Sequence, residues 1–470
     1  MSGLVKANIF GSSGSVIEAA GGLSWQPVVT ASTVTVSAAK GYFINTTSNA
    51  CTITLPSAAE AGDQIILIDY ARTWGTNAIT IDSNGLKFQS ETDDYIVDYD
   101  TSGQALNLVY SGATVGWTPS SDIVNAFDNT APLPTKGIFA YGTTGSVTNL
   151  SNLLGSNGVI AADVTGVGTS RSNVGTTTYG TDKALFAYGR AGSPYLSMKN
   201  LVSNEGVVAA DVSGVGTNRE GCRGMAVGLD GAAVIAFGAI SGSRTNISST
   251  VNSVGVISAD VTGVGTARQD VGASRYGVGL GAFAFGGIGG SNLSTKNLVN
   301  TSGVVGSDVS GVGTVRTKIA AACYGSDKGV FAYGSPVTSL KNLMSNTGVI
   351  AADVTGVGKV RRSLAAATYD SDKVAFAYGF NDNDNANLNV KNLANNLGVI
   401  AADVTGVGTA RDLLAAASYG GDKAVFAYGY AGGVLSTKNL VNNAGVIGSD
   451  VSGVGTARNY VIAAGYSLSA

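Results

Sequence analysis

The residue types with the greatest chemical reach in this chain arrive together and repeatedly. The nine residues "DVTGVGTAR" at 403–411 occur seven times as close variants. The aspartates are Asp163, Asp211, Asp260, Asp308, Asp353, Asp403 and Asp450, and the arginines are Arg171, Arg219, Arg268, Arg316, Arg361, Arg411 and Arg458. Arginine carries a rigid fork of donors suited to a carboxylate, a phosphate or a carbonyl oxygen. The glycines between them permit positive φ or close backbone approach. Two chemistries are open: seven arginines ringed round a channel to hold an anion, or each arginine paired with a motif aspartate or a carbonyl to join neighbouring units. We read all fourteen residues as structural. G-V-G is also a fragment of a phosphate loop, but no lysine or helix follows it.

Other reactive groups are scarce. The chain has no histidine, which removes the commonest general base and metal ligand. Cys51, Cys222 and Cys323 are too far apart for a disulfide framework or zinc spacing, and the expectation is free thiols made in a reducing cytosol. Asp230, Asp382 and Asp384 stand outside the repeated aspartates but lack an evident acid–base partner. The run "NDNDN" at 381–385 has neither the glycine nor the final glutamate of an EF-hand. The expectation is no enzyme, no cofactor and no metal site, a glycan-cleaving propeller with paired carboxylates being the remaining catalytic alternative.

Composition narrows the class further. Sixty-seven of 470 residues are glycine, about double the usual ~7% share. Charged residues are 13% and hydrophobic ones 44%, many in short runs such as "KAVFAYG". That combination predicts a β-rich core with many tight turns. The formal charge of −3 comes without any basic run, which argues against nucleic acid. No apolar run approaches the ~20 residues of a membrane span, and the N-terminus does not read as a signal peptide.

The elements that must position the motif repeat with it. Successive motif aspartates are 48, 49, 48, 45, 50 and 47 residues apart. Each unit also has a small-residue run such as "LLAAASYG" and an aromatic run ending in glycine, such as "VFAYG". Four short strands per unit are predicted: the small-residue run, the aromatic run, the segment around "TKNLV", and "GVIAADV". Four strands every 45–50 residues predict propeller blades, with small side chains where inner strands crowd a channel. The first copy begins at "KGIFAYG" with no small-residue strand before it, and the last ends on such a strand, "NYVIAAGYS". The two ends therefore complete one blade, and residues 136–470 are predicted to form a seven-bladed β-propeller closed by its terminal strands.

Insertions concentrate in one place. From each motif aspartate to the glycine ending the next aromatic run is 26 or 27 residues, whereas from that glycine to the next aspartate is 19 to 24. The loops after the aromatic strands should share one face, and per-repeat variation on one face marks a binding face. Arg190, Tyr195, Arg244, Phe380, Asn381, Asp382, Asn383, Asp384, Asn385 and Tyr430 lie in those loops and are the candidate receptor contacts, since Tyr and Arg recur at hot spots.

Residues 24–122 differ in texture. Short alternating runs, among them "VTVSA", "CTITLP", "QIILIDY" and "ALNLVYSG", predict a small antiparallel sandwich or jelly roll. Residues 1–23 are expected to be an extended arm and 123–135 a linker.

Two resemblances accompany this reading. The array is similar to the kelch class of repeat, although the kelch Gly-Gly doublet is mostly a single glycine here and the kelch tryptophan is missing. The block "GYFINTTSNACTITLPSAAEAGDQIILIDYARTWGTNAITID" (41–82), with "LVYSGATVGWTPS", resembles a β-domain of tailed-bacteriophage structural proteins, and the repeat "TKNLVSNxGVxAADVxGVGTAR" resembles phage virion sequences. The resemblance implies a virion component: a tail fibre or baseplate-attached adhesin that anchors through residues 1–122 to other virion proteins. It would be a homo-oligomer displaying its propeller to a host-surface glycan or protein. The alternative is a capsid-decorating or head-fibre protein with no receptor role.

Overall fold

The computed structural model describes residues 23–91, 97–120 and 133–467, apart from positions 165, 167, 213, 215, 229, 262, 264, 312, 357, 405, 407 and 454. The expected arm, except for residue 23, and residues 123–132 of the expected linker lie outside the described residues. The chain divides into two compact units, Met1–Asp128 and Asn129–Ala470. The fold is all-β, with no helix among the described residues.

The first unit contains β1 (Ser24–Trp25), β2 (Thr33–Thr35), β3 (Lys40–Ile44), β4 (Cys51–Thr54), β5 (Gln64–Asp69), β6 (Ile79–Asp82), β7 (Val97–Tyr99), β8 (Ala105–Tyr110) and β9 (Trp117–Pro119). They form two sheets, ordered β1-β3-β5-β8-β9 and β2-β4-β6-β7. Side chains alternate as the sequence implies: Ile65 and Leu67 of β5, Ile53 of β4 and Ile79 of β6 join one core between the sheets. The expectation of antiparallel sheets is corrected. β1 pairs with β3, β3 with β5, β2 with β4 and β4 with β6, all parallel. Among the described strands, β6–β7, β5–β8 and β8–β9 are antiparallel. Up to β6 the chain changes sheet after every strand, so the next strand in the same sheet runs the same way. Alternation reports which face is buried but not strand direction, so the sequence pattern could not separate these arrangements.

Among the described residues, the second unit contains seven three-stranded antiparallel sheets. In the second sheet the order is Gly175–Tyr179, Lys183–Ala187 and Lys199–Val202. The same meander recurs with first strands at Arg223–Val227, Gly272–Tyr276, Ala320–Tyr324, Ala365–Tyr369 and Ala415–Tyr419. The first sheet takes its first strand from the far end of the chain: Ile462–Tyr466 pairs antiparallel with Lys136–Ala140, with Ile138 opposite Ala464. Each first strand packs against the first strands of two neighbours, and this sequence of contacts returns to its start through Gly175–Tyr179 and Ile462–Tyr466. Seven apolar clusters fill the seven junctions between adjacent sheets. The second strands are buried on both faces, Ala184, Leu185, Phe186 and Ala187 showing no exposure, which explains their unbroken apolar runs.

The predicted fourth strand is not a continuous strand. "GVIAADV" makes two isolated bridges in each repeat, for example Val202 with Val208 and Lys199 with Val212. Between them the Asn200 amide donates to the Ala209 carbonyl and to Asp211 Oδ1. A side chain thus occupies the place of ladder bonds and positions the motif aspartate.

Candidate functional site

The arginine motif is resolved at atomic detail. All seven arginines are fully buried. Each lies with its guanidinium carbon 3.8–4.3 Å from the centroid of an aromatic ring in the preceding sheet, for example Arg268 over Phe237 and Arg411 over Tyr378. Six make ion pairs of 3.2–4.0 Å with the aspartate of the following unit: Arg171–Asp211, Arg219–Asp260, Arg268–Asp308, Arg316–Asp353, Arg361–Asp403 and Arg458–Asp163. Arg411 donates to Asn439, whose amide in turn donates to Asp450. The aspartate and arginine of one motif therefore do not meet. Each arginine joins the sheet it leaves to the one it enters.

The motif glycines serve that aspartate. Gly168 has φ +101°, and a Cβ there would collide with the Asp211 carboxylate and the Asn200 amide. Asp211 Oδ2 accepts from Thr169 N and Thr169 Oγ1, both at 2.8 Å. Burial acts to raise the Asp211 pKa, but hydrogen bonds from Thr169 and Asn200 and the Arg171 charge outweigh it and hold the carboxyl below its ordinary range. The same balance holds for Asp163, Asp260, Asp308, Asp353 and Asp450. Every guanidinium is buried within its junction, through an aromatic stack and at least one terminal-nitrogen hydrogen bond.

A second ring escaped the sequence reading. Two residues beyond each motif arginine stand Asn173, Gly221, Asp270, Lys318, Ser363, Leu413 and Tyr460, each with φ between 51° and 62°. This is the left-handed region, where a bulky side chain costs about 1–3 kcal/mol. All seven line one cavity of about 930 Å³, with the starts of six of the seven first strands and Val174, just before the remaining one, around it. Adjacent members are hydrogen-bonded in places, Leu413 N to Ser363 O and Tyr460 N to Leu413 O, both at 3.2 Å. Below the ring, Ala273, Ala321, Ala366, Ala416 and Ala463 line the same cavity. The signal was present in the repeat: this position is different in all seven copies, whereas an arginine always stands two residues before it.

The loops after the second strands reach this mouth. The residue following each motif arginine bridges the residue following each aromatic-run glycine, as in Ser172–Arg190, Arg362–Phe380 and Asp412–Tyr430. Of the ten candidate receptor contacts, Phe380, Asn385 and Tyr430 line the cavity. Arg190, Tyr195 and Arg244 do not. Arg190 is 3.8 Å from Glu220, Tyr195 Oη accepts from Gly242 N, and Arg244 Nη1 donates to Gly242 O. Asn381 is buried and bonds Asp384 and Asn383 within the turn, so its side chain builds the hairpin Phe380–Asn381/Ala386–Asn387. Asp382 binds Arg362 at 2.8–2.9 Å, and Asp384 lies 3.7 Å from Lys359. The "NDNDN" run is thereby consumed in hairpin contacts, and Asn383 is exposed at its tip.

Charged groups at the mouth are balanced. Arg223, Lys318 and Arg362 line it together with Asp270 and Asp412, and Arg362 carries the Asp382 pair. Burial pushes the Asp412 carboxyl up to about 6, against the opposing charges of Arg362 and Lys318. Among the described residues, no three His, Cys, Asp or Glu side chains cluster as a metal site would require. Cys51 and Cys222 are buried free thiols and Cys323 is partly buried; burial raises the Cys51 thiol to about 11.

No family model matches this chain, and no curated protein matches it.

Proposed function

We propose that the second unit is a seven-bladed β-propeller whose channel mouth is a recognition surface, and that the chain is a structural component of a bacteriophage particle. In this reading it is a tail fibre or baseplate-attached adhesin, incorporated through residues 1–122 and presenting the propeller to the host surface. The propeller assignment draws on the cyclic contacts of seven first strands, the seven inter-sheet cores and the pairing of the array's first and last strands in one sheet. The virion assignment rests on the resemblance of residues 41–82 and of the repeat. One observation carries the recognition role: the framework is uniform from sheet to sheet while the mouth residues and adjoining loops differ in every sheet.

A capsid-decorating role has one observation in its favour. The outer segments leave Val159 and its six equivalents through Val446 each more than half exposed, a repeated apolar belt suited to lateral contact. Loop exchange separates the two. Replacing 380–388 by the shorter "SPVT" of 335–338, and the other second-strand loops likewise, should preserve the melting temperature and lower particle adsorption to host cells. Unchanged adsorption after all exchanges would favour decoration.

A further inference from the structure

We infer that the cavity mouth binds a neutral saccharide, held mainly on the arc from Lys318 through Ser363 and Leu413 to Tyr460. This rests on the reading of that face as a recognition surface and names the ligand class. The first support is the left-handed ring itself. Glycine or asparagine would suit φ near 50°, as at Gly221 and Asn173, yet the chain places Lys318, Leu413 and Tyr460 there. Strain at the left-handed aromatic positions, such as Tyr378 and Phe237, coincides with complete burial and an arginine stack. At the mouth no such packing offsets it, since Lys318 and Tyr460 are exposed. Retained strain at exposed, varied positions points to a ligand.

The second support is the chemistry on that arc. Tyr430 and Tyr460 line the cavity and are 39% and 47% exposed, aromatic surface of the kind against which the C–H faces of a pyranose can stack. Asn387 lines the cavity, and its Oδ1 is buried without a donor while its Nδ2 bonds the Tyr430 carbonyl. An unsatisfied acceptor beside the cavity is suited to a donor such as a sugar hydroxyl. Lys318 is exposed at the cavity, where its ammonium can donate to a sugar hydroxyl. Charge decides against the alternatives. Positive groups at the mouth are matched by Asp270, Asp412 and the Asp382 already bound to Arg362, so neither an anionic nor a cationic ligand finds an uncompensated field.

Saturation-transfer NMR and calorimetry on the full chain test this. The probes are glucose-, galactose-, mannose- and N-acetylglucosamine-terminated oligosaccharides, with sialyllactose as the anionic comparator. At least one neutral probe should bind, and Tyr460→Gly and Leu413→Gly should each weaken it tenfold or more while the melting temperature holds or rises. Binding by no neutral probe, binding of sialyllactose alone, or affinity unchanged in both variants would overturn the inference. Host-cell adsorption before and after periodate oxidation separates this from the adhesin reading. Adsorption that survives periodate sinks the saccharide and leaves recognition standing; saccharide binding without cell adsorption does the reverse.

Discussion

Asp412 and the motif aspartates place opposite demands on pH. The motif carboxyls other than Asp403 are held below their ordinary range. Their contribution is present above the unfolded value of about 3.9 and is lost as pH falls through the folded values. Asp412 is pushed up to about 6 by burial. Between about 4 and 6 the folded state keeps a proton that the unfolded chain has released, so stability falls as pH rises through that window. Asp412→Asn should therefore stabilise the protein by roughly 2–3 kcal/mol at pH 7.5 and leave it nearly unchanged at pH 4. Urea titrations at the two pH values check this, and an equal effect at both would show that ionisation is not the cause. The residue types and their repeat were legible in the sequence. Their partners were not: Arg171 meets Asp211, forty residues onward, rather than Asp163 of its own motif.

Each connection between sheets behaves as a unit made of one arginine, one aromatic ring, one asparagine or serine, and one carboxylate cradled by a glycine. The ring contact comes from the preceding sheet and the asparagine, serine or carboxylate contacts from the following one, so the arginine ties the two sheets together. The guanidinium is fully buried while the carboxylate keeps about a quarter of its side-chain surface, so removing the carboxylate leaves a buried charge without its counter-ion. Lysines of the third strands add a parallel set of links: Lys199 Nζ donates to Gly255 O, Lys296 to Gly348, Lys341 to Gly398, Lys391 to Gly445 and Lys438 to Gly158. Burial lowers the pKa of all five. Gly168→Ala isolates the cradle, because its Cβ would strike the Asp211 carboxylate, whereas Gly192, also at positive φ, faces open space. We expect Gly168→Ala to cost about 2–4 kcal/mol and Gly192→Ala about 1 kcal/mol. Urea midpoints measure both, and equal losses would remove the cradle from the account.

The pairing of Ile462–Tyr466 with Lys136–Ala140 spans nearly the whole second unit. It brings Val461 into the core shared with Phe139 and Tyr428, and it sets Arg458 against Asp163. Deleting 459–470 would leave the Lys136–Ala140 edge unpaired on one side and the seventh sheet without its neighbour's first strand. The melting temperature should fall by about 10 °C or more, with association of the exposed edge at raised concentration. An unchanged transition would mean that the terminal pairing contributes little to the stability of the array.

Periodicity and spacing carried local information: how many copies the array holds, which runs are buried, where turns fall, and which chemistries lack their residues. Those properties depend on the side chains of a short segment, so a short segment reports them. Path-dependent properties needed coordinates. Alternation in "QIILID" looks the same whether β5 meets a parallel neighbour or an antiparallel one, so sheet direction in the first unit followed from where the chain crosses between layers. "GVIAADV" reads as a strand, yet the Asn200 side chain displaces its ladder, because a distant arginine requires the aspartate there. The cavity mouth shows the same limit. Seven dissimilar residues, spread over nearly three hundred positions, share a left-handed backbone and one cavity only because the sheets that carry them come to pack in cyclic order.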